Sequence, residues 1–201
     1  MTPAVTVLLI RHGHTDAIGR RLVGRTPGVH LTSAGEAQAR RLVDRLSATH
    51  LDAIYVSPLE RARETAAPLA ASRALTPRVL DDLTEVEFGE WTGLTFAELD
   101  TREDWRLFTV RRGTALVPGG EPAPAVQSRI VGALERLRRA HPGGMVAAVS
   151  HADVIRAAVM HDAGAPLDLI HRFAIMPASI TTVLLAGGSA TLVAVNERDR
   201  G

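Results

Sequence analysis

Apolar residues in this chain fall into short unbroken runs, separated by stretches with helical periodicity. Val5–Ile10 is a continuous apolar run, and Ala53–Ser57, Met145–Ser150, Ile180–Ala186 and Thr191–Asn196 share its length and composition. Such runs read as strands buried on both faces. Helical patterns run from Thr32 to about Leu46, Leu59 to Ser72, Ala125 to Arg139 and Ala152 to His161. Thr32 or Ser33 caps the first of these, and Ser33 with Glu36 has capping-box spacing. The alternation predicts an α/β fold: a three-layer α/β/α sandwich on a mostly parallel central sheet. Gly187-Gly188 between the last two strands predicts a closing hairpin, hence an antiparallel edge strand. Thr84–Pro124 reads as an irregular insertion holding both tryptophans and three of the four phenylalanines, the kind of segment that forms lids and specificity loops. At 201 residues the expectation is a single domain, 1–201, carrying that insertion at about 84–124.

Two of the strands end in polar groups. Val5–Ile10 runs into Arg11-His12-Gly13-His14-Thr15, and Met145–Ser150 runs into His151. Parallel strands deliver their C-terminal ends to active sites. An arginine and a histidine there, followed by a glycine that lets backbone approach a ligand, read as a site for an anionic group. Paired histidines on two strand tips point to phosphoryl chemistry.

Composition narrows the alternatives. All 23 basic residues are arginine, which excludes a P-loop lysine, a Schiff-base lysine and pyridoxal phosphate attachment. The absence of cysteine excludes disulfides, thiolate nucleophiles and zinc–thiolate sites. A net charge of +1 gives no pull toward nucleic acid or a membrane surface. With no secretory signal and no run of roughly 20 apolar residues, a cytoplasmic location is expected.

Four segments carry the chemistry: Arg11-His12-Gly13, Ser57-Pro58-Leu59-Glu60-Arg61-Ala62, Leu83-Thr84-Glu85-Val86-Glu87-Phe88-Gly89 and Ser150-His151-Ala152. In this order and at these intervals, from Leu8 to about Ser179, the chain resembles the histidine phosphatase superfamily, which includes the cofactor-dependent phosphoglycerate mutases. The resemblance implies the phosphoglycerate mutase-like fold and a metal-independent phosphatase acting on a phosphate monoester, with no cofactor. His12 would be the nucleophile that forms a phosphohistidine. Arg11, Arg61 and His151, the last held protonated by the bound dianion, would surround the phosphoryl group. Glu85 would protonate the leaving oxygen and then activate water. Glu85 and Glu87 compete for that role, and the family pattern, with the acid four residues before Gly89, selects Glu85. Thr15 is placed to donate its hydroxyl to phosphate, as are backbone N–H groups around Ala152, where a helix starts. Gly24 belongs to the substrate-binding loop. The implied partner is a small phosphorylated metabolite, with a homodimer possible on the same resemblance.

The chain departs from the family pattern at several places. His14 stands where glutamate or glutamine is common, and Ile18 where an asparagine usually holds phosphate. The loop Gly24-Arg25-Thr26-Pro27-Gly28-Val29-His30-Leu31-Thr32 is one residue longer than usual and lacks its aspartate. Arg25 either compensates by reaching substrate or is a solvated loop residue. Pro122 follows Glu121 where serine is frequent. Arg63 reads as a surface residue beside Arg61, and His30, His50, His141, His161 and His171 read as structural or surface histidines. Arg106, Arg111 and Arg112 either meet further acidic groups or form a solvated face. Trp91, Trp105, Phe96 and Phe108 either wall a bulky substrate or form the insertion's own core.

Competing functions share these residues. A phosphomutase would use the same catalytic set; its relatives carry an extra insertion and tail, whereas this chain stops soon after its final strand, which favours hydrolysis. A metal-dependent hydrolase would use His12 and His14 with His151 and Asp153. A non-catalytic protein would bind phosphorylated ligands without turnover.

Overall fold

The computed structural model describes residues 3–199. Six strands form one sheet: β1 (Val5–Arg11), β2 (Ala53–Val56), β3 (Arg78–Val79), β4 (Met145–Ser150), β5 (Ile180–Ala186) and β6 (Ser189–Glu197). Their order is β3-β2-β4-β1-β5-β6. The pairs β3–β2, β2–β4 and β4–β1 are parallel, while β5 runs against both β1 and β6. The hairpin closes through Gly187 and Gly188, both at positive φ (57° and 82°), the backbone that a two-residue turn requires. The reversed strand therefore lies one place in, and β6 forms the edge.

Side chains alternate across the sheet and build two cores. Leu8, Ile10, Ile54, Val56 and Val149 face α1 (Ser33–Arg45) and α2 (Glu60–Ser72). Val5, Val7, Leu9, Val146 and Ala148 belong to the opposite core, with α5 (Ala123–Ala140) and α6 (Ala152–Asp162). Thr32 is the residue that caps α1: its Oγ1 accepts from Gly35 N–H at 3.1 Å, and Glu36 makes an exposed pair with Arg40 in place of a capping box.

The insertion is more regular than its composition predicts. It holds two short helices, α3 (Phe96–Asp100) and α4 (Glu103–Val110), and a 3-10 turn, Gly89–Trp91, and a second such turn, Asp81–Leu83, leads into it. Its aromatic residues pack on each other, with ring centroids 5.0 Å apart for Trp91–Phe108 and 5.4 Å for Trp91–Trp105. Backbone bonds Leu22 N–H to Leu94 O (2.9 Å) and Gly93 N–H to Leu22 O (2.7 Å) fasten this insertion to the loop after β1. Among the described residues no helix is long and apolar enough to cross a membrane.

β1 meets α1 backbone to backbone. A Cβ at Gly35 would stand 2.2 Å from the carbonyl oxygen of His14, and one at Gly13 would stand 2.7 Å from that of Gly35. Neither contact can be relieved by rotating a side chain, so both glycines fix how closely the strand tip approaches the helix. Gly35→Ala is expected to destabilise the fold by roughly 1–3 kcal/mol and to lower activity by displacing the strand tip. Gly132→Ala, within α5 where the nearest atom is the far end of Arg136 at 3.5 Å, should be neutral or stabilising. Denaturant midpoints of the two variants check this; equal midpoints would discount the backbone contact.

Candidate active site

Strand register places the two histidines side by side. Arg11 pairs with Ser150 at the end of the β1–β4 ladder, so the next residues, His12 and His151, leave the sheet as neighbours. The backbone N–H of His12 still donates to Ser150 O at 3.0 Å. The rings stand 5.2 Å apart, centroid to centroid. Because α1 follows β1 on one face and α6 follows β4 on the other, a crevice opens between the two strand ends.

A pocket of about 280 Å³ occupies that crevice. Its wall includes Arg11, His12, Thr15, Gly24, Arg61, Glu85 and Ala152, and His151 lies buried beside it. Hydrogen bonding orients both imidazoles. Gly13 O lies 2.7 Å from His12 Nδ1 and can only accept, so Nδ1 carries the proton and the Nε2 lone pair is free. Ser57 Oγ lies 2.8 Å from His151 Nε2 and 3.4 Å from the N–H of Leu59. The hydroxyl keeps a second lone pair besides the one that meets the Leu59 N–H, so it can pair with either tautomer of His151, whose other ring nitrogen is Nδ1. That nitrogen faces Glu85 Oε2 at 3.9 Å.

The arginines are anchored to carbonyls. Arg11 Nη1 donates to Ile175 O at 2.6 Å, and Arg61 Nη2 donates to Gly24 O at 2.8 Å. Arg61 sits in the first turn of α2, whose next turn supplies Thr65; the Thr65 hydroxyl donates to Arg61 O at 2.6 Å and accepts from Gly13 N–H at 2.9 Å. Three buried nitrogens, Arg11 Nε, Arg61 Nη1 and His151 Nδ1, have no partner among the described residues. The two guanidinium nitrogens are buried cationic donors of the kind that a phosphoryl group would satisfy.

Electrostatics sets the protonation states. Burial, with Arg61 and Arg11 adding to it, holds His12 well below the usual histidine range. His151 is likewise held well below that range by burial, His12 and the two arginines. Both rings are therefore neutral at neutral pH. Burial pushes the guanidinium of Arg11 down to about 10, still charged. Burial and the charge of Asp153 push Glu85 up to about 6, against the pull of Arg61. Glu87 does not line the pocket, which separates it from Glu85.

Other sequence-derived candidates are distributed differently. Arg112 lines the pocket, buried, its guanidinium 3.9 Å from the Phe108 ring centroid, while Arg106 and Arg111 are absent from the pocket wall. Arg25 neither lines the pocket nor stands free in solvent: it donates to Glu85 O at 2.8 Å and to Glu121 Oε2 at 2.9 Å. Ile18 contributes apolar wall. Of the aromatic residues, Phe88, Phe96 and Trp105 serve both the core and the pocket wall. His14 turns away to Thr32 Oγ1, 3.1 Å distant, and so does not converge with His12 as a metal-ligand pair would. Asp153, the fourth ligand in that reading, is enclosed by Arg112 (3.0 Å) and Arg156 (2.8 Å). Among the described residues no group of three or more histidine, aspartate or glutamate side chains could hold a metal ion.

Wall residues that the sequence did not single out include Arg21, Phe88, Arg156 and His171. Arg156 was legible as the residue one turn into the helix that starts at Ala152. His171 lies in a 3-10 turn, Leu167–Arg172, with its ring 3.4 Å from Arg112 Nη2, a contact that no local pattern announces.

Comparison with known proteins gives a consistent family. The model of the histidine phosphatase superfamily (branch 1) matches residues 7–198. Phosphoserine phosphatase 1 of Hydrogenobacter thermophilus is 34% identical over 158 residues, covering 76% of this chain and 74% of that protein. The structure of Bacillus stearothermophilus YhfR superposes with a TM-score of 0.91 at 28% identity, covering 97% of this chain and 98% of that one. A phosphoserine phosphatase from Entamoeba histolytica, solved with 3-phosphoglyceric acid, gives a TM-score of 0.88 at 25% identity, covering 97% and 98%.

The raised Glu85 has a consequence for stability. Its pKa lies above the ordinary 4.5, at about 6, so folding disfavours the ionised carboxylate. Stability is then lost as pH rises through that window and is fully retained below it. Glu85→Gln removes the ionisation and is expected to melt a few degrees higher than the parent protein at about pH 8, with the gain vanishing near pH 4. A difference in Tm that is the same at both pH values would sink this account.

Proposed function

We propose that this chain, which belongs to the histidine phosphatase superfamily, hydrolyses phosphate monoesters of small cytoplasmic metabolites through a phosphohistidine on His12. The observation that carries the reading is the pairing of a neutral His12, its Nε2 free, with three buried nitrogens of Arg11, Arg61 and His151 that lack protein partners.

The chemistry follows from those positions. The Nε2 lone pair attacks phosphorus as the bond to the ester oxygen breaks. Arg11 and Arg61 keep their charge at any working pH and bind the equatorial oxygens, where charge concentrates. An arriving dianion favours the protonated form of His151, whose Nδ1–H then donates a third bond. Glu85, protonated below about pH 6, passes its proton to the departing oxygen. The resulting carboxylate then takes a proton from water, whose oxygen attacks phosphorus and releases His12 and inorganic phosphate. Thr15, buried in the pocket wall, and the backbone at Ala152 at the N-terminus of α6 supply further donors.

The outer wall suggests what the ester carries. Arg112 and Arg156 share one carboxylate, Asp153, and so leave net positive charge facing the pocket. Burial raises the pKa of Asp153, but the two guanidiniums win and hold it below the usual carboxylate range. An alcohol bearing a second acidic group fits this wall, and the Entamoeba relative was solved with such a compound, 3-phosphoglyceric acid.

Purified protein in excess chelator should hydrolyse p-nitrophenyl phosphate, and His12→Ala should lower the rate on the order of a thousandfold or more. Activity that disappears in chelator and returns with added metal would overturn the reading, and transfer to an added alcohol in place of water would indicate a mutase. Glu85→Gln should slow alkyl phosphates by roughly 10²–10⁴ but p-nitrophenyl phosphate far less, because nitrophenolate scarcely needs a proton. For the parent protein, kcat/KM on an alkyl phosphate should fall as pH rises through about 6. Substrate ionisation is the same for parent protein and Glu85→Gln acting on one ester, so the difference between their pH profiles on the alkyl phosphate isolates Glu85.

A further inference from the structure

Glu85 sits in the stretch between the 3-10 turns Asp81–Leu83 and Gly89–Trp91, outside any strand or helix. No ladder of backbone bonds fixes it there. Its carboxyl is held instead by its own chain: Oε1 accepts from the N–H of Val86 at 3.0 Å, leaving Oε2 toward His151. That N–H and the Glu85 carbonyl are two ends of one planar trans peptide and point in opposite directions. Whatever grips the carbonyl therefore also aims the N–H that holds the carboxyl.

Two guanidiniums grip it. Arg25 Nε donates to Glu85 O at 2.8 Å, and Arg129 Nη2 donates to the same oxygen at 3.3 Å. Both arginines are held by Glu121: Arg25 Nη2 reaches Oε2 at 2.9 Å, while Arg129 Nε and Nη2 reach Oε1 and Oε2 at 2.8 and 3.1 Å. The N–H of Glu121 in turn donates to Glu87 O at 2.7 Å. None of these three side chains lines the pocket. The single carboxylate lets two like charges converge on one carbonyl; without it they would repel each other across a half-buried site.

We propose that Arg25, Glu121 and Arg129 are positioning residues that lock the peptide between Glu85 and Val86 and so aim the proton-donating carboxyl at the leaving oxygen. The inference rests on the reading of Glu85 as general acid. It predicts a defect concentrated in proton delivery, since Arg11, His12 and His151 stand on strand ends and Arg61 on α2, its anchor at Gly24 O being a backbone contact that the Arg25 side chain does not make.

The test compares an alkyl phosphate with p-nitrophenyl phosphate for Glu121→Gln, Arg25→Met, the double variant and Glu85→Gln, with unfolding midpoints measured in parallel. Glu121→Gln and Arg25→Met should each slow the alkyl ester roughly tenfold, a fraction of the 10²–10⁴ that a general acid supplies, and change the nitrophenyl rate less than about twofold. The double variant should be no slower than the worse single one, because the two residues act through one peptide. Arg25→Lys, which keeps the charge but cannot reach the carbonyl and Glu121 together, should fall between. Equal slowing of both esters, or no slowing of either, would overturn the proposal and leave a structural network. If Glu85→Gln discriminates between the esters and the clamp variants do not, the clamp alone is wrong. If Glu85→Gln itself does not discriminate, the acid assignment is wrong and the clamp falls with it. The Arg25 side chain is 37% exposed, so its replacement leaves the core intact, and the nitrophenyl rate reports a folded site in every variant.

Discussion

The structure depends on positive charge that is buried and left without an equivalent buried negative charge. Arg11 and Arg61 spend donors on the carbonyls of Ile175 and Gly24, which fix direction and neutralise nothing. The nearest carboxylate, Glu85, has its own ionisation opposed by burial and by Asp153. Two histidines in the same space are held neutral by that burial and by those cations. A neutral imidazole is a nucleophile and a protonated one is not, so the charge that would bind a phosphoryl group also keeps His12 reactive. Removing the imbalance with a well-placed carboxylate would make the fold easier to stabilise and would remove the reason for the site.

Such charge can be concentrated only on a scaffold that does not yield. Parallel pairing of Arg11 with Ser150 sets His12 beside His151 without any contact between side chains having to arrange it. Gly13 against Gly35 brings the tip of β1 onto α1 at backbone distance, and Thr65 ties the same tip to the helix that carries Arg61. The outer arginines, Arg112 and Arg156, are treated differently. Both are paired with Asp153 and so cost less to bury, at the expense of a weaker field toward any ligand.

What was legible in the sequence follows this division. Strands buried on both faces announce themselves as apolar runs, and the polar residues that end them are conspicuous, so His12, Arg11 and His151 could be read directly. The spacing of His12 and His14 misleads as a ligand pair: β1 ends at Arg11, so the two-residue period of a strand no longer applies beyond it. Thr95 and Glu98 do form a capping box, and that signal was present in the sequence. The helix it opens, Phe96–Asp100, is too short to show a periodicity, which is why the insertion read as irregular. Arg25 defeated both readings offered for it because its partners lie 60 and 96 residues away, and no local pattern encodes them. Gly120 is similar. A Cβ there would stand 2.4 Å from Glu87 O, a close approach that lets Glu121 reach the Glu87 carbonyl, and only the folded insertion reveals it.

The site thus divides into two halves built by different physics. The half that would hold phosphate stands on the ends of regular elements, where ladder bonds and helix turns settle geometry and leave side chains free to carry charge. The half that faces the rest of the ester stands on the insertion and the loop after β1, stitched to each other at Leu22 and Leu94. A carboxyl on such a segment has no ladder to hold it and must borrow rigidity from side chains, as Glu85 does from two arginines and a glutamate. On the proposed reading, the arrangement permits the outer half to change its aromatic residues and arginines, and with them the alcohol it would accept, while the half that would hold phosphate stays as it is. The limit on such change is the peptide that follows Glu85, because two arginines joined by Glu121 converge on its carbonyl.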